Sequence, residues 1–453
     1  MKKFIIKIFL FGTIIFLVSC EDFLNLSPVS EIAGSTFYRN DKELESGVIG
    51  IYDGMQNYIQ TEWPLAEMRS DNTHTRAQRS EGEWREFETM NVQVINSTVS
   101  KYWIDNYNVI FRANTVLENL DNMTSESLKK QFEGEAKFAR ALSHFNLVRA
   151  FGDIPVIDKI IKYTDKEYFA RDPESEVYDL IKSDLTTAVA NLPTRANIAF
   201  GRATKGAAQA ILAKVYLTLK DYSSAKTLLD GIISDGDYIL LAKYNDVFYK
   251  EKNNEIIFGV QYIQDDTKDS QNFSYQWTEN GLNYPTTNLM NTVDPADLRK
   301  PTLFFWNPLA GATGDWENGK FRPSSLSQTQ GNDWIVIRYA DVLLMHAEAI
   351  MGNNTSTTDL TALSSFNAVR VRAGLPTVAT LTKDLLLQER RIELCFENQR
   401  LYDLIRFGVA ETVMAAFSLT TEPGFTFEPT ALLLPIPQRE RNIYKELTQN
   451  PGY

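Results

Sequence analysis

The chain has 453 residues, 43% of them hydrophobic and 12% aromatic, which is enough apolar material for a large packed core and argues against disorder. Its formal net charge of −12, with no basic stripe or Lys/Arg run, argues against nucleic acid as a partner. Only two cysteines occur, Cys20 and Cys395, so once the first is modified no disulfide framework exists and packing must supply the stability.

Lys2 and Lys3 precede a mostly apolar run from Phe4 to Val18, followed by Ser19 and Cys20. Residues 1–19 thus have the layout of a signal peptide, too short and too one-sided for a stable membrane span. Leu17, Val18, Ser19 and Cys20 resemble a bacterial lipobox, whose cysteine is acylated and becomes the new N-terminus. Two or three acyl chains anchor a protein stably, whereas one alone is marginal. Glu21 and Asp22 resemble the signals that send lipoproteins to the cell surface in one group of Gram-negative bacteria. Residues 20–36 read as a lipidated tether, polar around Ser27 to Ser35, ahead of a single domain over 37–453.

Helical periodicity dominates the chain beyond the tether. Lys101 to Leu120 and Ser125 to Ala150 read as long helices, and Asp172-Pro173 as an N-cap and first-turn proline for a helix that Pro193 stops. In AAQAILAKVYLTLKDYSSAKTLLDGII, residues Leu212, Ala213 and Tyr216 precede Ala225, Leu229 and Ile232 at the offsets of a tetratricopeptide repeat. A degenerate second unit spans Leu343 to Val371, around Ala347, Ile350, Ala362, Phe366 and Val369; a third is compatible with Ile104 to Phe151. Recurrence at this period favours stacked helix pairs over isolated hairpins. Residues 238–323 differ: a strand-like run from Glu255 to Ile263 leads into a stretch rich in Asn, Gly, Pro and aromatics. A long irregular insertion in a repeat protein is a candidate functional surface.

The series Glu389, Arg390, Arg391, Glu393, Glu397, Arg400, Asp403 and Arg406 falls at mostly three- and four-residue spacings on a predicted helix. It reads as ion pairing that ties this helix to its neighbours, because the arginines exceed any need for a general base. The stretch Gly314-Asp-Trp-Glu-Asn-Gly319-Lys320 imitates a phosphate loop but places Phe321 where a metal-binding hydroxyl is required. His74, His144 and His346 form no zinc signature, and no nucleophile elbow occurs, so neither a metal nor a cofactor is expected. No pair of carboxylates stands out for glycoside hydrolysis.

Four stretches, EGEAKFARALSHFNLVRAFGDIP, YNDVFYKEKNNEIIFGVQY, WIVIRYADVLLMHAEA and QERRIELCFENQRLYDLIRFG, resemble the SusD/RagB family of outer-membrane nutrient-binding lipoproteins. The ending PIPQRERNIYKELTQNPGY resembles that family's C-terminus. Departures are small: Cys395 replaces a small residue, Asn398-Gln399 stands where glycine is common, and Phe407 where Trp is usual. The resemblance implies a mainly α fold of about four tetratricopeptide-like helix pairs carrying a variable, loop-rich half with short strands. It also implies a lid on a SusC-like TonB-dependent transporter, with oligosaccharides as usual ligands and peptides in some members. No enzymatic step is implied.

Sugars are held by flat aromatic faces and by planar amide, carboxylate or guanidinium groups. Two regions offer both, Glu67 to Arg76 with Trp84, and residues 275–316. Asp71, Asn72, Trp84, Tyr284, Trp306 and Trp316 are therefore candidate ligand contacts, with Trp277 and Arg69 behind them. Each has a bland alternative as a core aromatic or loop-capping polar residue, Asp71-Asn72 above all. The rival functions are a repeat scaffold that gates the transporter without a ligand of its own, and a surface hydrolase. Cys20→Ala should abolish acylation and membrane retention while folding persists; a variant still retained by membranes lacking the transporter would contradict the anchor.

Overall fold

The computed structural model describes residues 37–75, 82–278, 281–310, 314–325, 327–420 and 424–453. Cys20, the leader, the tether and Arg76 lie outside the described residues. The principal helices are α1 (Asp41–Ala66), α2 (Ser97–Asn119), α3 (Glu126–Phe151), α4 (Glu174–Asn191), α5 (Lys205–Thr218) and α6 (Tyr222–Asp235). After the insertion come α7 (Tyr339–Met351), α8 (Leu360–Arg372), α9 (Lys383–Glu393) and α10 (Arg400–Phe407). Seven of them start on a side chain that accepts a first-turn N–H: Asn40, Asn96, Ser125, Thr204, Asp221, Asp359 and Thr382. Left-handed glycines, Gly236 and Gly408, end α6 and α10.

Each helix packs on the next, α1 on α2 and so on through α6, then α6 on α7 and α7 on α8. This is the row of helix pairs that the sequence periodicity suggests. Fully buried alanines make the close approach possible: Ala136, Ala139 and Ala141 in α3, Ala207, Ala210 and Ala213 in α5, Ala347 in α7 and Ala362 in α8. The largest apolar cluster draws on residues from Leu44 to Leu447, and a second one fills the space between α7 and α8.

The insertion is tied in by β2 (Ile256–Val260), which pairs antiparallel with β6 (Trp334–Arg338) just ahead of α7. Shorter strands pair as well: β1 (Thr73–His74) with β3 (Tyr284–Pro285), and β4 (Phe304–Asn307) with β5 (Asp315–Asn318). The phosphate-loop mimic is β5 and its exit. Lys320 is fully buried, with Nζ 2.6 Å from Glu397 and 2.8 Å from the Glu393 carbonyl.

Two expectations need correction. The charge series does not lie on one helix: α9 ends at Glu393, and Phe396 and Asn398 take left-handed φ of 64° and 59° before α10. The cause is the buried Glu67 carboxylate, which accepts the N–H groups of Phe396 (3.0 Å) and Asn398 (3.1 Å) and so holds the chain in that turn. Asp172 does not cap α4; its carboxylate accepts the Val156 N–H at 2.7 Å, while Asp153 receives Glu174 N–H at 2.9 Å.

The broken series joins elements far apart in sequence. Glu393 meets Arg299 (2.7 Å) and Arg338 (2.6 Å) and also Arg372; Glu397 meets Arg338 (2.8 Å) and Lys320 (2.6 Å). Arg390 bridges Asp341 and Asp403, each at 2.8 Å. Burial by itself would raise the Asp341 carboxyl, but Lys214 and Arg390 outweigh it and hold it well below the usual carboxylate range. Glu393 is lowered in the same way by Arg372, Arg338 and Arg299, and Asp403 by Arg390 and Arg406. His144 is a packing residue: burial pushes its imidazole down to about 4, Nδ1 lies 2.9 Å from the Arg140 carbonyl, and Nε2 accepts the Ile157 N–H at 3.3 Å.

Arg338→Ala should leave Glu255, Glu393 and Glu397 buried around a missing charge and cost about 3–5 kcal/mol, read from the urea midpoint. Lowered carboxylates contribute stability above their unfolded pKa of roughly 4 and lose it as pH falls toward their folded values. Burial raises Glu62 and Glu67, which oppose part of that loss. The urea midpoint should therefore drop from about pH 5 down to about pH 2, and Asp341→Asn should flatten the slope.

Candidate functional site

Early and late loops meet in the loop-rich half. Thr73 pairs with Pro285 and His74 with Tyr284, and Thr286 donates its N–H to the Asn72 carbonyl and its hydroxyl to the Asp71 carbonyl, both at 2.9 Å. β3 in turn lies beside β5. The two regions singled out in the sequence are thus neighbours.

Their polar residues nevertheless point inward. Arg69 is buried and donates to the carbonyls of Leu65 (3.1 Å) and Ala431 (2.5 Å). Asp71 is held by Arg400 (2.7 Å) and Arg391 (3.0 Å); burial opposes its ionisation, yet those two guanidinium groups still pull its carboxyl down. Asn72 donates to Glu67 (3.1 Å) and accepts from Arg391 (2.9 Å). Trp277 is enclosed by Trp63, Phe273, Phe321 and Trp334 with ring centroids 5.2–6.0 Å away, and Tyr284 is buried with its hydroxyl donating to the Thr278 carbonyl at 2.9 Å. These five side chains are buried and form the floor beneath the loops. Trp84, on the short helix Glu83–Glu88, is partly buried and stacks on Trp63 at 5.3 Å with the planes 10° apart.

Trp306 and Trp316 are different. They stand directly opposite each other on β4 and β5, with ring centroids 5.4 Å apart and planes inclined at 68°. Both are large rings left open to solvent, 44% and 41% exposed. Gly314 carries the close approach behind Trp306: its φ is +86°, and a Cβ there would lie 2.7 Å from Trp306 Cζ2. Glu317 is buried and accepts from Asn307 Nδ2 at 2.9 Å, with the Tyr284 hydroxyl 3.2 Å away, so the hairpin stands on the floor described above. Arg322 lies 3.3 Å over the Phe305 ring, and Tyr249, 42% exposed, donates to the Gly319 carbonyl. Asn307, Arg322 and Tyr249 were not foreseen, since nothing in their local sequence announces that a hairpin will gather them.

Such a site offers two half-exposed ring faces on one side of the hairpin, with Asn307, Glu317, Phe305 and Arg322 bracing the other side. Among the described residues no group of three or more His, Cys, Asp or Glu could hold a metal ion, and no helix is long and apolar enough to cross a membrane. Cys395 is buried, which pushes its thiol up to about 12 and leaves it unreactive.

Fold and site together define a helical-repeat protein that presents aromatic side chains from an insertion between its helix pairs. Residues 313–453 match the SusD family model, and residues 22–217 match a second described as starch-binding associating with outer membrane. The chain belongs to the SusD/RagB family. It is 27% identical to a SusD-like protein of Bacteroides ovatus over 87% of this chain and 80% of the relative. It is 26% identical to SusD-like protein P2 of Formosa agariphila over the full length of both. A solved laminarin-binding SusD-like protein superposes with a TM-score of 0.80 at 26% identity, covering 92% of this chain and all of that one.

Gly314→Ala should destabilise the hairpin by about 1 kcal/mol or more and shift tryptophan emission, while the far-ultraviolet signal of the helices stays unchanged.

Proposed function

We propose that this protein is an acylated lipoprotein of the outer-membrane surface that captures an oligosaccharide and passes it, chemically unchanged, to a SusC-like TonB-dependent transporter. The opposed Trp306–Trp316 pair carries this reading: two half-exposed indoles on a braced hairpin give the C–H faces of sugar rings somewhere to stack. Asn307 and Arg322 lie with Glu317 and Phe305 on the opposite face of the hairpin and brace it, and Trp84 is a further aromatic beside the early loop. Support for a glycan ligand comes also from the laminarin-binding relative, and support for delivery and anchoring from the family resemblance and the lipobox around Cys20. Peptides remain the second ligand class, because loop aromatics serve either; the buried Glu317 and its hydrogen bonds favour a bracing role over hydrolysis.

The double variant Trp306→Ala/Trp316→Ala should lower affinity for laminarin oligosaccharides about 30-fold or more, as loss of hot-spot contacts does, with thermal unfolding unchanged. Transporter association should survive. If association were lost and neither glycan nor peptide bound the wild type, a ligand-free scaffold would be the better description, and released product would establish a hydrolase.

A further inference from the structure

Where α1, α3 and α5 meet β6 and the turn after α9 there is a cavity of about 30 Å³, separate from the tryptophan hairpin. Glu62 of α1, Arg149 of α3, Lys214 of α5, and Glu397 and Asn398 of the turn border it, with Tyr58 one turn before Glu62. Two opposite charges face this space without meeting. Glu62 is buried and, among the described residues, its carboxylate has one hydrogen bond, from Asn398 Nδ2 at 3.2 Å, although a carboxylate can accept about four. The Arg149 guanidinium donates to Asn146 Oδ1 at 2.8 Å and to the Phe145 carbonyl at 3.2 Å, and it pairs with no carboxylate among the described residues. Four more polar atoms are buried here with no partner among the described residues: the hydroxyls of Tyr58, Tyr102 and Tyr402, and Asn398 Oδ1. Tyr58 and Asn398 line the cavity itself, the Tyr102 ring lies 6.4 Å from that of Tyr58, and the Tyr402 ring lies 4.1 Å beneath Arg149.

A buried polar atom left unmet forfeits the hydrogen bonds that water gave it in the unfolded chain, so this many in one place call for an occupant. The lining decides its chemistry. A cation would face Arg149 and Lys214, an anion would face Glu62 and Glu397, and an apolar group would satisfy none of the open donors and acceptors. A small neutral dipole that both donates and accepts fits, and the volume admits about two water molecules at roughly 10–15 Å³ for each. We propose that this cavity is a hydration site, in which about two water molecules join Glu62 to Arg149 and take up the Tyr58 hydroxyl and Asn398 Oδ1. The scaffold and the turn are then bonded through water where no ion pair joins them. Asn398 directly follows Glu397, which holds Lys320 at the exit of the hairpin, so water that fixes the Asn398 side chain steadies the same turn that Glu67 shapes through its backbone.

The site is independent of what the hairpin binds, and two measurements test it. A crystal structure in which solvent is ordered should place water within hydrogen-bond distance of the Tyr58 hydroxyl, Asn398 Oδ1 and a Glu62 carboxylate oxygen. A cavity without solvent density would overturn the assignment, and so would an ion there, revealed by anomalous signal after a bromide or rubidium soak. Tyr58→Phe puts the same question in solution. A hydroxyl bonded to water loses that bond in the variant, so the urea midpoint should fall by a few tenths of a molar, whereas a hydroxyl buried dry loses only its penalty. An unchanged or higher midpoint would therefore refute the hydration site.

Discussion

A charge taken out of water costs several kcal/mol unless an opposite charge and enough hydrogen bonds meet it, and this protein places many charges where water does not reach. Arg299, Arg338, Glu255 and Glu393 are all fully buried, and Arg372 and Glu397 nearly so. Glu393 is the centre, since it receives an arginine from the insertion, one from the end of β6 and one from α8. Removing one partner would leave the others buried and uncompensated, so the cluster ties the scaffold to the insertion. Such pairs specify a structure more than they stabilise it; the surrounding apolar cluster supplies the larger share of the stability.

The same cluster explains why the hairpin of β4 and β5 is rigid enough to bind anything. Arg299 lies just before β4 and is held by Asp297, Glu389 and Glu393. Lys320 lies just after β5 and is held by Glu397. One end of the hairpin is therefore pinned to α9 and the other to the turn that follows it, and Glu317 braces its middle. Trp306 and Trp316 are presented on a support whose position is set by buried charge, and preorganised contacts of this kind lose little entropy when a ligand arrives.

Glu67 shows how one residue serves both halves. It sits at the end of α1, shapes the turn between α9 and α10 through two backbone N–H groups, and takes the Asn72 amide. Asp71 then joins Arg391 and Arg400 across the same boundary. The early loop is thus part of the joint between scaffold and insertion, and the Trp306–Trp316 hairpin stands on it.

The sequence by itself determined the helix pairs, because small residues at repeat spacing leave few other ways to bury an apolar stripe. It also marked the charge series as pairing rather than catalysis. Only the tertiary structure decided that the series is split by a turn, since the cause, Glu67, lies more than three hundred residues away in the chain. Only it separated Trp306 and Trp316 from Trp277 and Tyr284: all four are loop aromatics of similar local context, and which of them meets solvent depends on what the rest of the chain packs against them. Burial is a property of the whole fold, so no short stretch of sequence contains it.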